Sequence, residues 1–165
     1  MYLLRTKDLT LKRDGSENEK YAILSHRWSA DANEEVLFED VYPAFTAAAK
    51  AKPGYRKLLF CQAQARKDKH EYIWIDTCCI DKSSSAELTE AINSMYRWYA
   101  KSGSCYVYLQ DVSTKLPDIQ SQFEKSKWFE RAWYAEMPQH WRANLVDTHF
   151  QDSAGAARSY RTQIL

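Results

Sequence analysis

Apolar residues fall into two patterns along this chain: short continuous runs that close on polar residues, and longer stretches with apolar positions three or four apart. Tyr21-Ala-Ile-Leu-Ser-His-Arg-Trp28 is of the first kind. It begins apolar and turns polar, as a buried parallel strand does on reaching the carboxyl edge of its sheet. Tyr72-Ile-Trp-Ile-Asp-Thr77, closing on Asp76, and Cys105-Tyr-Val-Tyr-Leu109 predict a second and a third core strand. The stretch from Tyr55 to His70 is of the second kind. Leu58, Cys61 and Ala65 recur at helical spacing, and the basic end Arg66-Lys-Asp-Lys69 suits the negative pole of a helix dipole. Ser84 followed by Glu87 forms a capping-box pattern, after which Leu88, Ile92, Met95 and Tyr99 predict one buried face of a helix that Gly103 stops. The Ala-rich piece from Tyr42 to Lys50 predicts a further helix, and Leu9 to Leu11 a small strand or turn. The aromatic stretch Trp128-Phe-Glu-Arg-Ala-Trp133 predicts the start of another helix, whereas periodicity is lost from Gln139 onward and the end reads as a frayed tail.

Strands and helices therefore alternate, which predicts an α/β fold with a parallel sheet covered on both faces. The length, 165 residues, fits one domain. With 45% hydrophobic and 14% aromatic residues, the chain holds enough apolar surface to order itself, so disorder along the whole length is excluded. A net charge of +1 leaves no electrostatic excess to attract nucleic acid or anionic lipid, and neither partner is expected. The apolar runs are far shorter than the roughly 20 residues a bilayer requires, and the charged start does not read as a secretory signal, so a cytoplasmic site is expected. The cysteines Cys61, Cys78, Cys79 and Cys105 have neither disulfide-framework nor zinc spacing and read as buried free thiols. No metal site is expected from the histidines.

Ligands of an open parallel sheet bind outside the carboxyl ends of its strands, which brings Ser25-His26-Arg27-Trp28, Asp76-Thr77-Cys78 and Gln110-Asp111 to one edge. The glycines are too scattered for a phosphate-binding loop, so any nucleotide would be held by side chains. Arg27 offers an anion contact and Trp28 an aromatic platform, against the plainer reading of packing and solvation. Asp76 can orient a ribose or a base, or simply accept from loop amides before the turn at Cys79-Ile-Asp81. Glu87 reads first as a capping-box partner, and Cys78 and Cys79 lack a neighbouring histidine that would activate a nucleophile.

Taken together, Tyr21 to Trp28, Glu35-Val-Leu-Phe-Glu-Asp40, Lys52-Pro-Gly-Tyr-Arg-Lys57, Tyr72-Ile-Trp-Ile-Asp-Thr-Cys-Cys-Ile-Asp-Lys82, Glu87 to Met95 and Ser126-Lys-Trp-Phe-Glu-Arg-Ala-Trp133 closely resemble the fungal heterokaryon incompatibility (HET) domain. The resemblance covers residues 1–137, leaving 138–165 as a divergent tail. It implies a cytoplasmic fungal protein of non-self recognition and programmed cell death. It also implies a TIR-like, flavodoxin-like fold that works by self-association or by binding other HET or TIR-like domains. Some TIR domains cleave NAD+ with a glutamate on a helix, and Ser126 through Trp133 is similar to that region. NAD+ is then a candidate substrate and no cofactor is required. An oxocarbenium-like transition state would be stabilised by a carboxylate. Where the family continues Arg-Gly-Trp-Thr-Leu-Gln-Glu-Leu, this chain reads Arg131-Ala-Trp-Tyr-Ala-Glu-Met-Pro138, so Glu136 falls on the family's Gln and Met137 on its Glu. The expectation is Glu136 as catalytic carboxylate with Glu87 in reserve, and Ser25, His26, Arg27, Trp28 and Asp76 lining the pocket. Pro138 ends or kinks the helix, and the carboxyl end reads as truncated. The competing expectations are a non-enzymatic interaction module or an inactive truncated isoform.

Overall fold

Every residue of the strand Tyr21–His26 is buried, as expected where a strand is covered on both faces. It is the third of six in the computed structural model, which describes residues 1–13, 20–112, 119–130 and 163–164. The strands are β1 Tyr2–Arg5, β2 Leu11–Arg13, β3 Tyr21–His26, β4 Tyr72–Ile75, β5 Ser104–Tyr108 and the two-residue β6 Gln163–Ile164. The helices are α1 Phe38–Val41, α2 Ala47–Ala51, α3 Tyr55–Lys67, α4 Ser85–Lys101 and α5 Ile119–Glu124, with 3-10 turns at Ala32–Glu34 and Lys127–Glu130. Spatial order is β2-β1-β4-β3-β5-β6.

The three strands expected from the sequence are present and parallel, β3 lying between β4 and β5. The side on which the chain leaves β3 is thus reversed when it returns to β5. The helices cover opposite faces. Leu24 pairs with Tyr106 and shares its face, whereas Tyr21, three residues away, points to the other. The Tyr106 hydroxyl donates to Asp68 at the end of α3 at 2.8 Å, and the Tyr21 hydroxyl donates to the Trp98 carbonyl of α4 at 2.6 Å.

Three expectations are corrected. The sheet is mixed rather than all parallel, because a β1–β2 hairpin is added with β1 antiparallel to β4. Its tight connection holds no glycine; Leu9 takes the left-handed conformation (φ 61°) and donates its N–H to the Arg5 carbonyl at 2.8 Å, so the usual turn signal is missing. The Ala-rich segment is not one helix from Tyr42. Helix α2 starts after Thr46, whose Oγ1 accepts from the Ala49 N–H at 3.1 Å, while Pro43 separates it from α1. In α4 Met95 is buried and Leu88 and Tyr99 pack partly against the core as expected, but the covered face is centred on Ala91, Ser94 and Trp98, and Ile92 is 57% exposed. The face is chosen by Trp74 of β4, which is fully buried edge-on to Trp98 with ring centroids 5.5 Å apart. Near Trp128 the described residues form a 3-10 turn preceded by α5, and the rest of the expected helix, from Arg131 onward, lies outside the described residues.

Gly103 follows α4 for a reason other than a left-handed cap. A Cβ there would come within 2.7 Å of His70 Cε1, and the His70 ring is held by a 2.9 Å hydrogen bond to Ser104 Oγ. Among the described residues no helix is long and apolar enough to cross a membrane.

Candidate functional site at the carboxyl edge of the sheet

The end of β3 splits its polar residues between the two faces, because successive side chains alternate. Ser25 and Arg27 turn to one side. Trp128, 3% exposed, donates its Nε1–H to Ser25 Oγ at 3.2 Å, and Arg27 reaches the Lys127 carbonyl at 3.3 Å and Glu130 Oε2 at 3.6 Å. This 3-10 turn is anchored by Asp111, which accepts from Ser126 Oγ at 2.7 Å and the Lys127 N–H at 2.8 Å. Partial burial raises the Asp111 pKa, but these hydrogen bonds outweigh it and hold the carboxyl below its ordinary value. An open hollow of about 370 Å³ lies among Arg27, Trp28, Lys127 and Glu130.

His26 and Trp28 turn toward Asp76. His26 Nδ1 lies 3.7 Å from Asp76 Oδ1, and the Trp28 Nε1–H donates to Asp76 Oδ2 at 3.0 Å. Lys82 sits over the Trp28 ring with Nζ 4.1 Å from its centroid and donates to the Thr77 carbonyl at 3.2 Å. Trp28 remains 40% exposed, so part of the ring is open to a ligand.

Beside this cluster lies a buried ion pair that sequence reasoning did not single out. Glu35 Oε1 accepts from Lys57 Nζ at 2.5 Å and from the Ser29 N–H at 2.6 Å. Glu35 comes from the loop after β3, and Lys57 from the first turn of α3. Gly54 lets the two segments meet: its N–H donates to the Glu34 carbonyl at 2.8 Å, and a Cβ would approach that oxygen to 2.7 Å. Burial dominates at Lys57 and pulls its pKa below the ordinary lysine value, against the opposing effects of Glu35 and then Asp76. At Lys82 burial again lowers the pKa, opposed by Asp76, Cys78 and Glu35. The two carboxylates and two lysines therefore form one electrostatic unit. A hollow of about 230 Å³ opens between Ser29, Glu35, Gly54, Arg56, Lys57 and the end of β5 at Tyr108 and Gln110. Both residues lie in segments that carry the family resemblance, Glu35 to Asp40 and Lys52 to Lys57, but nothing in the sequence marks them as partners of one another.

The structure thus gathers Ser25, His26, Arg27, Trp28 and Asp76 at one edge, on two faces. Glu87 stands apart from them. Its Oε1 is 3.7 Å from Arg13, and its crevice is lined by Met1, Tyr2 and Cys79 among others and holds only about 10 Å³. Half of the expected capping box is present, the Glu87 N–H donating to Ser84 Oγ at 3.3 Å. Glu136 lies outside the described residues. The four cysteines are free and buried. Burial raises the pKa of Cys61 and Cys105; at Cys78 a hydrogen bond with Cys79 and then burial do the same, which disfavours the thiolate. Among the described residues no group of three or more His, Cys, Asp or Glu is placed to hold a metal ion.

These polar strand ends and the loop with Glu35 fall in the region that family comparison identifies. The model of the heterokaryon incompatibility protein (HET) family matches residues 21–120. The chain belongs to this family. Over 119 residues it is 50% identical to the vegetative incompatibility protein HET-E-1 of Podospora anserina, an alignment covering 68% of this chain and 8% of that protein. The chain therefore spans a small part of that relative's length. No solved structure matches the HET chain.

Proposed function

We propose that this chain is a HET module of vegetative incompatibility, acting in the cytoplasm in fungal non-self recognition and programmed cell death. It works by self-association, or by association with other HET or TIR-like domains, and hydrolyses NAD+. The observation that carries the reading is the convergence of Trp28, Asp76, Glu35 and Lys57 at the carboxyl edge, next to the point where strand order reverses between β3 and β5. The order β4-β3-β5 is second-first-third among the parallel core strands, which is how a flavodoxin-like sheet begins, and such sheets bind nucleotides at this reversal.

In the reaction the bond between ribose C1′ and the nicotinamide nitrogen breaks, and its electron pair leaves with nicotinamide. A carboxylate stabilises the oxocarbenium-like transition state; water adds to C1′ and releases a proton, giving ADP-ribose. Glu136 takes the carboxylate role by its position after the Trp128 turn, and Glu87 is the reserve. The exposed face of Trp28 offers a stacking surface for a base, and Asp76 is held beside it.

The test is nicotinamide release by the purified chain across a range of protein concentrations. Turnover per chain should rise with concentration if self-association assembles the site, and Glu136→Ala should abolish it with folding retained. Absence of turnover in a folded, associated chain would defeat the enzymatic reading in favour of an interaction module. Substitution of Met137 at the family's Glu position favours that second reading. Burial of Trp128 against Ser25 removes that ring from any exposed aromatic docking patch.

A further inference from the structure

Helix α4 leaves one long face to solvent. Thr89, Ile92, Asn93, Tyr96, Arg97 and Ala100 are exposed and recur three or four residues apart, while Ala91, Ser94, Met95 and Trp98 face the sheet. Ile92 and Tyr96 are 57% and 58% exposed, more than any other large apolar side chain among the described residues. With about 100° of turn per residue, these two lie along one border of the open face, and Glu90 and Arg97 lie along the other. Arg97 also donates to Ser94 Oγ at 3.1 Å.

This face is complementary to itself when reversed. Set against a second copy of the helix that runs antiparallel and is centred near Asn93, Ile92 meets Tyr96 and Tyr96 meets Ile92, while Glu90 meets Arg97 and Arg97 meets Glu90. Parallel pairing would instead set Glu90 against Glu90 and Arg97 against Arg97, and like charges repel. Helix α3 fails the same test. Its exposed Leu59 and Phe60 are flanked by Arg56, Arg66 and Lys67, and it contains no acidic residue, so two copies would repel in either direction. We propose that the outer face of α4 is the surface through which two copies of this chain associate, antiparallel about a two-fold axis near Asn93. The assignment rests on the self-association reading above and names its surface. One pair of 17-residue helices is a small contact beside the ~1,200 Å² or more of a stable complex, so the dimer forms reversibly and depends on protein concentration.

Sedimentation velocity of the purified chain over a range of protein concentrations tests it. The parent should pass from monomer to dimer as concentration rises. Glu90→Lys and Arg97→Glu each bring like charges together at both ends of the contact and should weaken the dimer by about tenfold or more. An equimolar mixture of these two variants should associate again, because both charge pairs are then restored between unlike copies. Ile92→Ser and Tyr96→Ser should also weaken the dimer, while Phe60→Ser on α3 should leave it unchanged. All of these side chains are exposed, so the variants should fold as the parent does, which circular dichroism checks. A parent dimer equally stable in Glu90→Lys, Arg97→Glu and Tyr96→Ser would overturn this surface and keep self-association. Weakened association in both charge variants without recovery in their mixture would overturn the antiparallel arrangement. A folded parent that stays monomeric at every concentration would overturn both the surface and self-association, and would leave the face of α4 to a different partner.

Discussion

Lys57 and Glu35 show how a single pair ties a loop to a helix at the cost of taking two charges out of water. Removing one partner leaves the other buried and uncompensated, a loss of about 3–5 kcal/mol, whereas replacing both with neutral groups is far milder. Lys57→Met should therefore lower stability by about that amount in urea unfolding, and the double variant Glu35→Gln, Lys57→Met should recover most of it. A single and a double variant of equal stability would show that the pair is not coupled. The pH dependence has a definite sign. Because burial holds the folded pKa of Lys57 below the ordinary value, the unfolded chain binds more protons as pH climbs from that folded pKa toward the lysine value of 10.5. This group's contribution to stability therefore rises with pH across that window. The increment should be missing from the double variant when unfolding is followed against pH. The sequence does not announce their pairing, which joins positions 22 apart across a loop and a helix start.

At the scale of elements, α4 illustrates how far periodicity reaches. The Ser84 N-cap and the helix that follows were readable from local chemistry, because a cap acts through the adjacent backbone. The buried face was legible only in part: Met95 is buried and Leu88 and Tyr99 pack against the core, but a stripe through Ile92 and one through Ala91 and Trp98 are both reasonable on one helix. The sheet decides between them by presenting Trp74. Trp98→Ala should cost about 3–5 kcal/mol, as large buried aromatics do, while Ile92→Ala should stay within about 0.5 kcal/mol. Chemical denaturation of both variants checks this, and a large loss at Ile92 would contradict the observed face. The β1–β2 hairpin was illegible for a related reason: its turn uses a left-handed Leu9 where glycine or asparagine would have been the signal.

The whole molecule is organised by one sheet with α3 and α4 on opposite faces, so the buried residues of both layers meet through the same strands. Unfolding should accordingly be a single cooperative transition, with far-UV circular dichroism and tryptophan fluorescence superimposing. Separated transitions would mean that the β1–β2 hairpin or the 3-10 turn around Trp128 is an independent unit. At this scale the candidate site is also assembled. Ser25 to Trp28 and Asp76 were legible as strand ends in search of a common edge, and the parallel register of β3 and β4 puts them there.

The sequence by itself determined that β3, β4 and β5 are buried strands, that α3 and α4 separate them, and that the chain belongs with the HET family. Each of these follows from local apolar patterning or from ordered motifs, which need no knowledge of distant contacts. Only the tertiary structure decided which strands are neighbours, which face of α4 is covered, and that Glu35 meets Lys57. Those outcomes depend on packing between segments remote in the chain. Desolvation and ion pairing act between groups that come together only when the sheet and its helices are in place.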